Sequence, residues 1–142
     1  MSTEQNKTAV LRTFNEAWNE KKLAMLREVI AEGAVYYNPS TPQPLLGPEG
    51  QEMFIGGFHV AFPDTHFTIE DVVAEGDKVV VRWAASGTNQ GPLMGMPATG
   101  KRVTVRGMTM FTVRDGMVQE SWTNWDTLAM LQQLGIVPMP QS

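Results

Sequence analysis

The sequence predicts an α+β fold in which helices come first along the chain and an antiparallel sheet follows. Apolar residues recur at the spacing of a helix face through the first part of the chain. From His66 onward they alternate with polar residues at the period of a strand. Tight-turn signals at residues 75–77 and 115–116 join the alternating segments in pairs, as expected for hairpins. A chain of 142 residues is long enough to bury a core, and we expect one domain over residues 1–142.

Three helices are predicted before the sheet. Each carries apolar residues three and four positions apart, which is the pattern of a helix packed on one side. The second is predicted to end at Gly33 in a left-handed conformation, and Pro48 suits the first turn of the third. The three cover residues 3–20, residues 23–30 and the segment from Pro48 to Pro63.

A four-strand antiparallel meander is predicted after these helices. Its two hairpins are separated by a connection rich in glycine and proline. A short strand at 34–39, followed by a proline-rich loop, precedes the third helix, and a last helix begins after Asp126. The meander strands are predicted at residues 66–76, 78–88, 101–113 and 116–125.

Composition and charge exclude several classes of protein. A net charge of −4 with a pI near 5.1 argues against nucleic-acid binding, which needs clustered Lys and Arg. The absence of cysteine excludes disulfides and thiolate metal sites, and the two isolated histidines give no metal-ligand spacing. We therefore predict no metal ion and no cofactor. The polar N-terminus and the lack of a long apolar run predict a cytoplasmic protein without a membrane segment.

Asp126 has two explanations in the sequence alone. It is placed to cap the final helix, which is the more common role of an aspartate at such a position. Strict alternation along the preceding strand puts Val118, Glu120, Trp122 and Asn124 on the same face as Asp126. If that face met an apolar cavity, desolvation would raise the pKa of the carboxyl and make it a competent general base. Ten methionines and four tryptophans suit such a cavity, or equally an ordinary core.

Several segments together resemble a known family. They include "AFPD", "VAEGDKVVVRW", "SGT", "PATGK", "DGMVQESW" and the ending from Asp126 to "QLG". The chain resembles a SnoaL-like polyketide cyclase of the nuclear-transport-factor-2-like superfamily, from the first helix to Gly135. This resemblance implies a cone-shaped α+β fold. A curved, mostly antiparallel sheet is expected to pack on three N-terminal helices around an apolar cavity.

The resemblance also implies a cofactor-free mechanism. In cyclases of this family, an aspartate at the end of the last strand removes a proton from the carbon next to a carbonyl, and the ring closes by an aldol addition. Asp126 matches the position of that aspartate. Asn38 matches a polar companion on the first strand. The family pattern places a histidine after "SGT", where this chain has Asn89. An asparagine side chain can donate a hydrogen bond but cannot take up or release a proton. Asn89 is equally suited simply to start a turn. The predicted substrate-binding residues are Trp18, Tyr36, Asn38, Trp83, Asn89 and Trp122.

Two functions remain open at this point. The first is a cyclase or related isomerase acting on a polyketide-like ester, with Asp126 as acid and base. The second is a non-catalytic protein that binds a small apolar ligand in the same cavity. An epoxide hydrolase is disfavoured because no aspartate lies two residues from Arg106. Cone folds of this kind usually form homodimers through the outer face of the sheet. That face is predicted to include Thr104, Arg106, Met108, Met110 and Thr112.

Overall fold

The first helix begins at a capping box. In the computed structural model, which describes residues 2–139, α1 spans Thr3–Arg12. The Ser2 hydroxyl accepts the N–H of Gln5 at 3.1 Å, and the Gln5 side chain accepts the N–H of Ser2 at 2.9 Å. The helix then continues as a wider π-helical segment over Thr13–Asn19. The predicted first helix is therefore present, with a change of pitch in its second half.

The second predicted helix is shorter than expected. A 3₁₀ turn at Leu23–Met25 leads into α2, which spans only Leu26–Val29. Strand β1 starts at the next residue and spans Ile30–Tyr37. The prediction that Gly33 ends a helix is wrong, because Gly33 lies inside β1. Pairing with the last strand of the sheet at Ile30 and again from Val35 keeps the chain extended through Gly33 and overrides the local glycine signal.

The proline-rich loop ends in a two-residue strand. Strand β2, Leu45–Leu46, pairs antiparallel with β1 and leads directly into α3, which spans Gly47–Ala61. Gly47 has a φ of 65°, and a Cβ there would lie 2.8 Å from the carbonyl oxygen of Glu32. Only glycine fits this sharp entry into the third helix.

The predicted meander is confirmed as four long antiparallel strands. They complete a six-stranded sheet with the order β2-β1-β6-β5-β4-β3, in which β1 and β6 alone run parallel. A short helix, α4, spans Thr127–Gln133 at the end. The strands are β3 His66–Glu75, β4 Lys78–Thr88, β5 Arg102–Arg114 and β6 Met117–Trp125.

The core lies between the helices and one face of the sheet. Along β4, Val79, Val81 and Trp83 alternate inward and are buried, facing the helical layer. The expected α+β architecture, with a curved and mostly antiparallel sheet packed on N-terminal helices, is confirmed. Within residues 2–139, no helix is long and apolar enough to cross a membrane.

Most methionines of the described residues do not line the cavity. Met130 does, but Met53, Met94, Met108, Met110 and Met139 are exposed. Methionine enrichment as a whole therefore does not mark the cavity. Three of the four tryptophans do line the cavity, as described below.

Candidate active site

The concave face of the sheet and the helices enclose one large apolar cavity. The empty volume of the cavity, including the open solvent at its mouth, is about 1040 Å³. Aliphatic and aromatic side chains from the π-helical segment, α3 and the inner faces of β1 and β3–β6 form most of the wall. This apolar lining with a few polar groups is typical of a site for a small, largely apolar molecule.

Aromatic rings form the wall where the first helical segment meets the sheet. Trp18 lies against Phe67 with 4.5 Å between ring centroids, and Phe67 lies 4.9 Å from Trp83. The α3 rings of Phe54 and Phe58 contact Trp18 edge-on. Such packing fixes a rigid, flat-sided surface that suits a planar ring system.

Polar groups collect on the wall formed by β1 and β6. Asn38 is 8% exposed, and its Oδ1 accepts the Ser40 N–H at 2.8 Å and the Trp125 Nε1–H at 3.2 Å. The Asn38 amide Nδ2 donates to the Tyr36 hydroxyl at 2.8 Å. Tyr36, Asn38 and Trp125 therefore form one connected group at the cavity surface.

A second set of hydrogen bonds reaches the same wall from β4. Trp83 Nε1 donates to Thr109 Oγ1 at 3.1 Å, and Thr109 Oγ1 lies 2.8 Å from Thr123 Oγ1. The Thr123 side chain in turn lies next to the Tyr36 hydroxyl. Burial raises the pKa of the Tyr36 hydroxyl above its usual value, although the bonds with Thr123 and Asn38 oppose that shift. Tyr36 is therefore protonated at neutral pH.

The cavity carries no formal charge. Among residues 2–139, no Asp, Glu, His, Lys or Arg side chain contributes to its lining. Likewise, no three His, Cys, Asp or Glu side chains of the described chain lie close enough to hold a metal ion. A ligand in this cavity therefore meets apolar surface and neutral hydrogen-bonding groups.

Similar proteins identify the family. A model of the SnoaL-like polyketide cyclases matches residues 8–134. The chain belongs to the SnoaL-like polyketide cyclase family. Aklanonic acid methyl ester cyclase DauD of Streptomyces sp. (strain C5) is 29% identical over 132 residues, which cover 89% of this chain and 80% of DauD.

Solved structures of SnoaL-like proteins share the fold. The crystal structure of a candidate SnoaL-like polyketide cyclase from Jannaschia Sp. CCS1 aligns with a TM-score of 0.87 and 33% identity, covering 96% of this chain and 95% of that one. Wild-type IdmH, a candidate polyketide cyclase from Streptomyces antibioticus, aligns with a TM-score of 0.80 and 34% identity, covering 92% and 99%. The expected nuclear-transport-factor-2-like fold is confirmed.

Asp126 caps the last helix in this SnoaL-like protein. Its Oδ1 accepts the N–H of Ala129 at 2.9 Å, and the side chain is exposed to solvent. Asp126 does not line the cavity, although Trp125 before it and Met130 after it do. The expectation that its carboxyl faces an apolar cavity is therefore not met in this conformation, whereas the expected cap is present.

Trp122 lies on the outside of the sheet, contrary to its predicted place in the cavity. It is 47% exposed, stacks on Tyr37 with centroids 3.8 Å apart, and donates to Glu120 at 2.6 Å. The reason is a β-bulge in β6. Thr112 pairs with Glu120, but the next residue of β5, Val113, pairs with Val118. One extra residue in β6 thus reverses the alternation, so that Ser121, Thr123 and Trp125 point inward.

Asn89 is buried but does not line the cavity either. Its Nδ2 donates to the carbonyls of Ala61 at 3.2 Å and Gly91 at 2.9 Å. Its Oδ1 accepts both the N–H and the hydroxyl of Thr99, at 2.8 and 3.0 Å. The side chain therefore ties the loop after β4 to the end of α3, which is a structural role. The predicted substrate-binding position at Asn89 is not supported by its location.

Four of the predicted binding residues do come together. Trp18, Tyr36, Asn38 and Trp83 all line the cavity. Sequence reasoning did not select Thr109, Thr123 and Trp125, which complete its polar wall. Thr109 lies on the face of β5 opposite Met108 and Met110, so alternation alone would have placed it inward. For Thr123 and Trp125, the bulge removed that signal.

Proposed function

We propose that the protein is a cofactor-free polyketide cyclase that closes a ring in an uncharged, ring-containing ester. The observation that supports this most directly is an apolar cavity whose polar groups are all neutral and include the hydrogen-bonded pair Tyr36 and Asn38. A charged ligand would lose its hydration in this cavity without gaining an ion-pair partner. A neutral ester of fused rings matches both the shape and the polarity. DauD, a relative, is by its name a cyclase of a methyl ester.

The proposed reaction is an intramolecular aldol addition. A base removes the proton from a carbon next to one carbonyl, and the resulting enolate carbon attacks a second carbonyl of the same molecule. One carbon–carbon bond forms, the π bond of the attacked carbonyl breaks, and the alkoxide takes up the proton. Substrate and product are isomers, so the step consumes no oxidant, reductant or cofactor.

Asp126 is proposed as the group that moves this proton. One of its carboxylate oxygens, Oδ1, caps α4, while no side chain or backbone donor of residues 2–139 bonds to Oδ2. Asp126 directly follows Trp125, which lines the cavity. Because Asp126 is outside the lining, this role requires either that the reacting carbon extends past Trp125 or that α4 shifts inward.

Asp126→Asn tests the assignment, because asparagine caps a helix as well as aspartate but does not titrate. With aklanonic acid methyl ester, the substrate that the name of DauD indicates, we expect wild-type protein to form an isomer of unchanged mass. The variant should lose roughly 10²- to 10⁴-fold in kcat, the usual contribution of a general base. Chromatography with mass detection follows the conversion.

Asp115→Asn serves as the matched control, since Asp115 is also exposed but lies in the β5–β6 turn. It should leave kcat unchanged. Full activity of Asp126→Asn would show that the cyclase uses another base. If the wild-type protein converts neither this ester nor related esters, the cyclase proposal itself is contradicted.

A second candidate function is non-catalytic binding of the same class of ligand. The uncharged lining favours it, because no general base among residues 2–139 lies inside the cavity. In that case a polyketide-like ester binds, measured by quenching of the cavity tryptophans, and is recovered unchanged. Conversion of the bound ester would exclude this alternative.

A homodimer is proposed through the outer face of the sheet. Five apolar residues from five strands are direct cross-strand neighbours and form a continuous stripe there. Of the strand positions predicted for this contact, Thr104, Arg106, Met108 and Met110 are exposed, whereas Thr112 is buried. An exposed stripe of this length is typical of a contact with another protein surface. The apolar stripe comprises Tyr37, Trp122, Met110, Val80 and Val73.

A further inference from the structure

The hydrogen bonds around Asn38 determine whether the Tyr36 hydroxyl acts as donor or acceptor toward it. Asn38 Oδ1 accepts from two groups that can only donate, the Ser40 N–H and the Trp125 indole N–H. The Ser40 hydroxyl, 2.6 Å away, adds a third donor. The amide Nδ2 must therefore be the group that faces Tyr36, and it can only donate. The Tyr36 hydroxyl oxygen consequently acts as the acceptor of this bond.

The chain of bonds from Trp83 has the same direction. The Trp83 indole N–H is a donor only, so Thr109 Oγ1 accepts from it at 3.1 Å. The Thr109 hydroxyl proton is then free to point at Thr123 Oγ1, 2.8 Å away, and the Thr123 side chain lies next to Tyr36. The Tyr36 oxygen accepts from Asn38 Nδ2, and no residue of 2–139 accepts the Tyr36 proton.

Two other hydroxyl donors of the cavity wall bond to the protein itself. Thr13 Oγ1 donates to the Val10 carbonyl at 2.7 Å, and Thr65 Oγ1 donates to the Phe62 carbonyl. The indole N–H groups of Trp83 and Trp125 are committed to Thr109 and Asn38, as described. The lining residues Gln51, Ser86 and Ser121 carry further donors. Tyr36 differs from them because its hydroxyl oxygen accepts a bond from the protein, while no residue of 2–139 accepts its proton.

We propose that the Tyr36 hydroxyl donates a hydrogen bond to a ketone or ester carbonyl oxygen of the bound ligand. Asn38 and the Trp83–Thr109–Thr123 chain act as positioning residues that hold it in that orientation. This rests on the proposed function only in assuming a ligand that bears a carbonyl. In the cyclase reaction, the same bond strengthens as the carbonyl oxygen acquires the charge of the enolate. Because its pKa lies above the usual value, the hydroxyl keeps its proton at neutral pH and remains a donor.

A matched pair of ligands tests this proposal without any turnover. Fluorene and 9-fluorenone share a flat three-ring frame, and only the second carries a carbonyl. Their dissociation constants are measured by quenching of the fluorescence of Trp18, Trp83 and Trp125, which line the cavity. In Tyr36→Phe we expect the ratio of the fluorene constant to the fluorenone constant to fall roughly two- to tenfold. That range corresponds to one neutral hydrogen bond.

Thr123→Val is the matched control, because it removes the hydroxyl next to Tyr36 and its bond with Thr109 but leaves the Tyr36 hydroxyl in place. We expect a smaller fall in the ratio than in Tyr36→Phe. Near-ultraviolet circular dichroism checks that both variants are folded. An equal ratio in wild type and Tyr36→Phe would overturn the proposal. An equal fall of the ratio in Tyr36→Phe and Thr123→Val would also overturn it, since that result would assign the donor to Thr123.

An infrared measurement on wild-type protein gives a second, independent test. The carbonyl stretch of bound 9-fluorenone should lie at lower frequency than in an apolar solvent and return toward that value in Tyr36→Phe. An unshifted band in wild type would overturn the proposal. If the esters are not turned over but the band shift is present, the cyclase proposal fails while the role of Tyr36 stands.

Discussion

At the residue scale, the shape of the cavity depends on one position without a side chain. Gly107 on β5 lies directly between Trp83 on β4 and Trp125 on β6. A Cβ at residue 107 would lie 2.5 Å from Cζ2 of Trp83 and 2.7 Å from Cβ of Trp125. The two indoles occupy the space above the glycine, and each N–H reaches a different polar group of the wall. Gly107 therefore lets both tryptophans serve one site.

Gly107→Ala is expected to destabilise the protein by about 1–3 kcal/mol, because the added methyl group forces an indole out of place. Urea denaturation measures this as a lower midpoint. The same variant should also weaken fluorenone binding, since Trp83 and Trp125 both contact the cavity.

Gly57→Ala provides the control for Gly107→Ala. Gly57 lies in α3, and nothing is within 4 Å of the Cβ that alanine would add. We expect it to raise stability by roughly 0.4–1 kcal/mol, since alanine restricts the unfolded chain more than glycine does. Equal stability of the two alanine variants would contradict the proposed crowding at Gly107.

At the element scale, sequence periodicity predicted the long strands and helices but not the two irregularities that shape the site. The hairpin turns and alternation gave the meander strands nearly to the residue. The bulge at Glu120 inserts one residue into β6, and the π-helical segment Thr13–Asn19 widens the helix that carries Trp18. Neither the bulge nor the π-helical segment requires a particular residue type, so the sequence pattern does not reveal them. Tyr36, Asn38 and Trp83 do line the cavity, whereas the bulge places Trp122 on the outer face of the sheet.

The π-helical segment is joined to α3 by His59. Its Nε2 lies 2.9 Å from the Trp18 carbonyl and donates to it, since a carbonyl only accepts. Burial lowers the pKa of His59 below its usual 6.5, and the nearby Lys21 charge adds to that effect. The folded protein therefore resists protonation of this ring more strongly than the unfolded chain does.

The sign of the resulting pH dependence follows from proton binding. Below about pH 6.5 the unfolded state binds more protons at His59 than the folded state does, so the free energy of unfolding falls as the pH falls. Above that pH the contribution of neutral His59 to stability is complete. In His59→Gln, which retains an N–H donor, we expect a smaller loss of stability between pH 7 and 5. His59→Leu should be less stable than His59→Gln even at pH 8. Thermal unfolding measured from pH 5 to 8 checks both, and parallel curves for wild type and His59→Gln would contradict the assignment.

At the scale of the whole molecule, the two faces of one sheet have separate tasks. The concave face holds the cavity, with Thr109, Thr123 and Trp125 pointing inward. The convex face carries the apolar stripe, of which Trp122 is 47% and Val73 64% exposed. Because neighbouring residues of a strand alternate between faces, substitutions on one face leave the lining of the other in place. The proposed assembly of the protein is therefore testable without altering its cavity.

Met110 occupies the middle of the apolar stripe and is 41% exposed, so a lysine there is tolerated by a monomer. In a dimer formed through the stripe, the same lysine would be buried against apolar side chains without a partner charge, at a cost of several kcal/mol. We expect wild-type protein to sediment at twice the 15.7 kDa mass of the chain and Met110→Lys to sediment as a monomer. Thr104→Lys adds the same charge to the same face of β5, but six residues or roughly 20 Å from Met110, and should remain dimeric. A monomeric wild type, or a Met110→Lys variant that stays dimeric, would show that the stripe is not the interface.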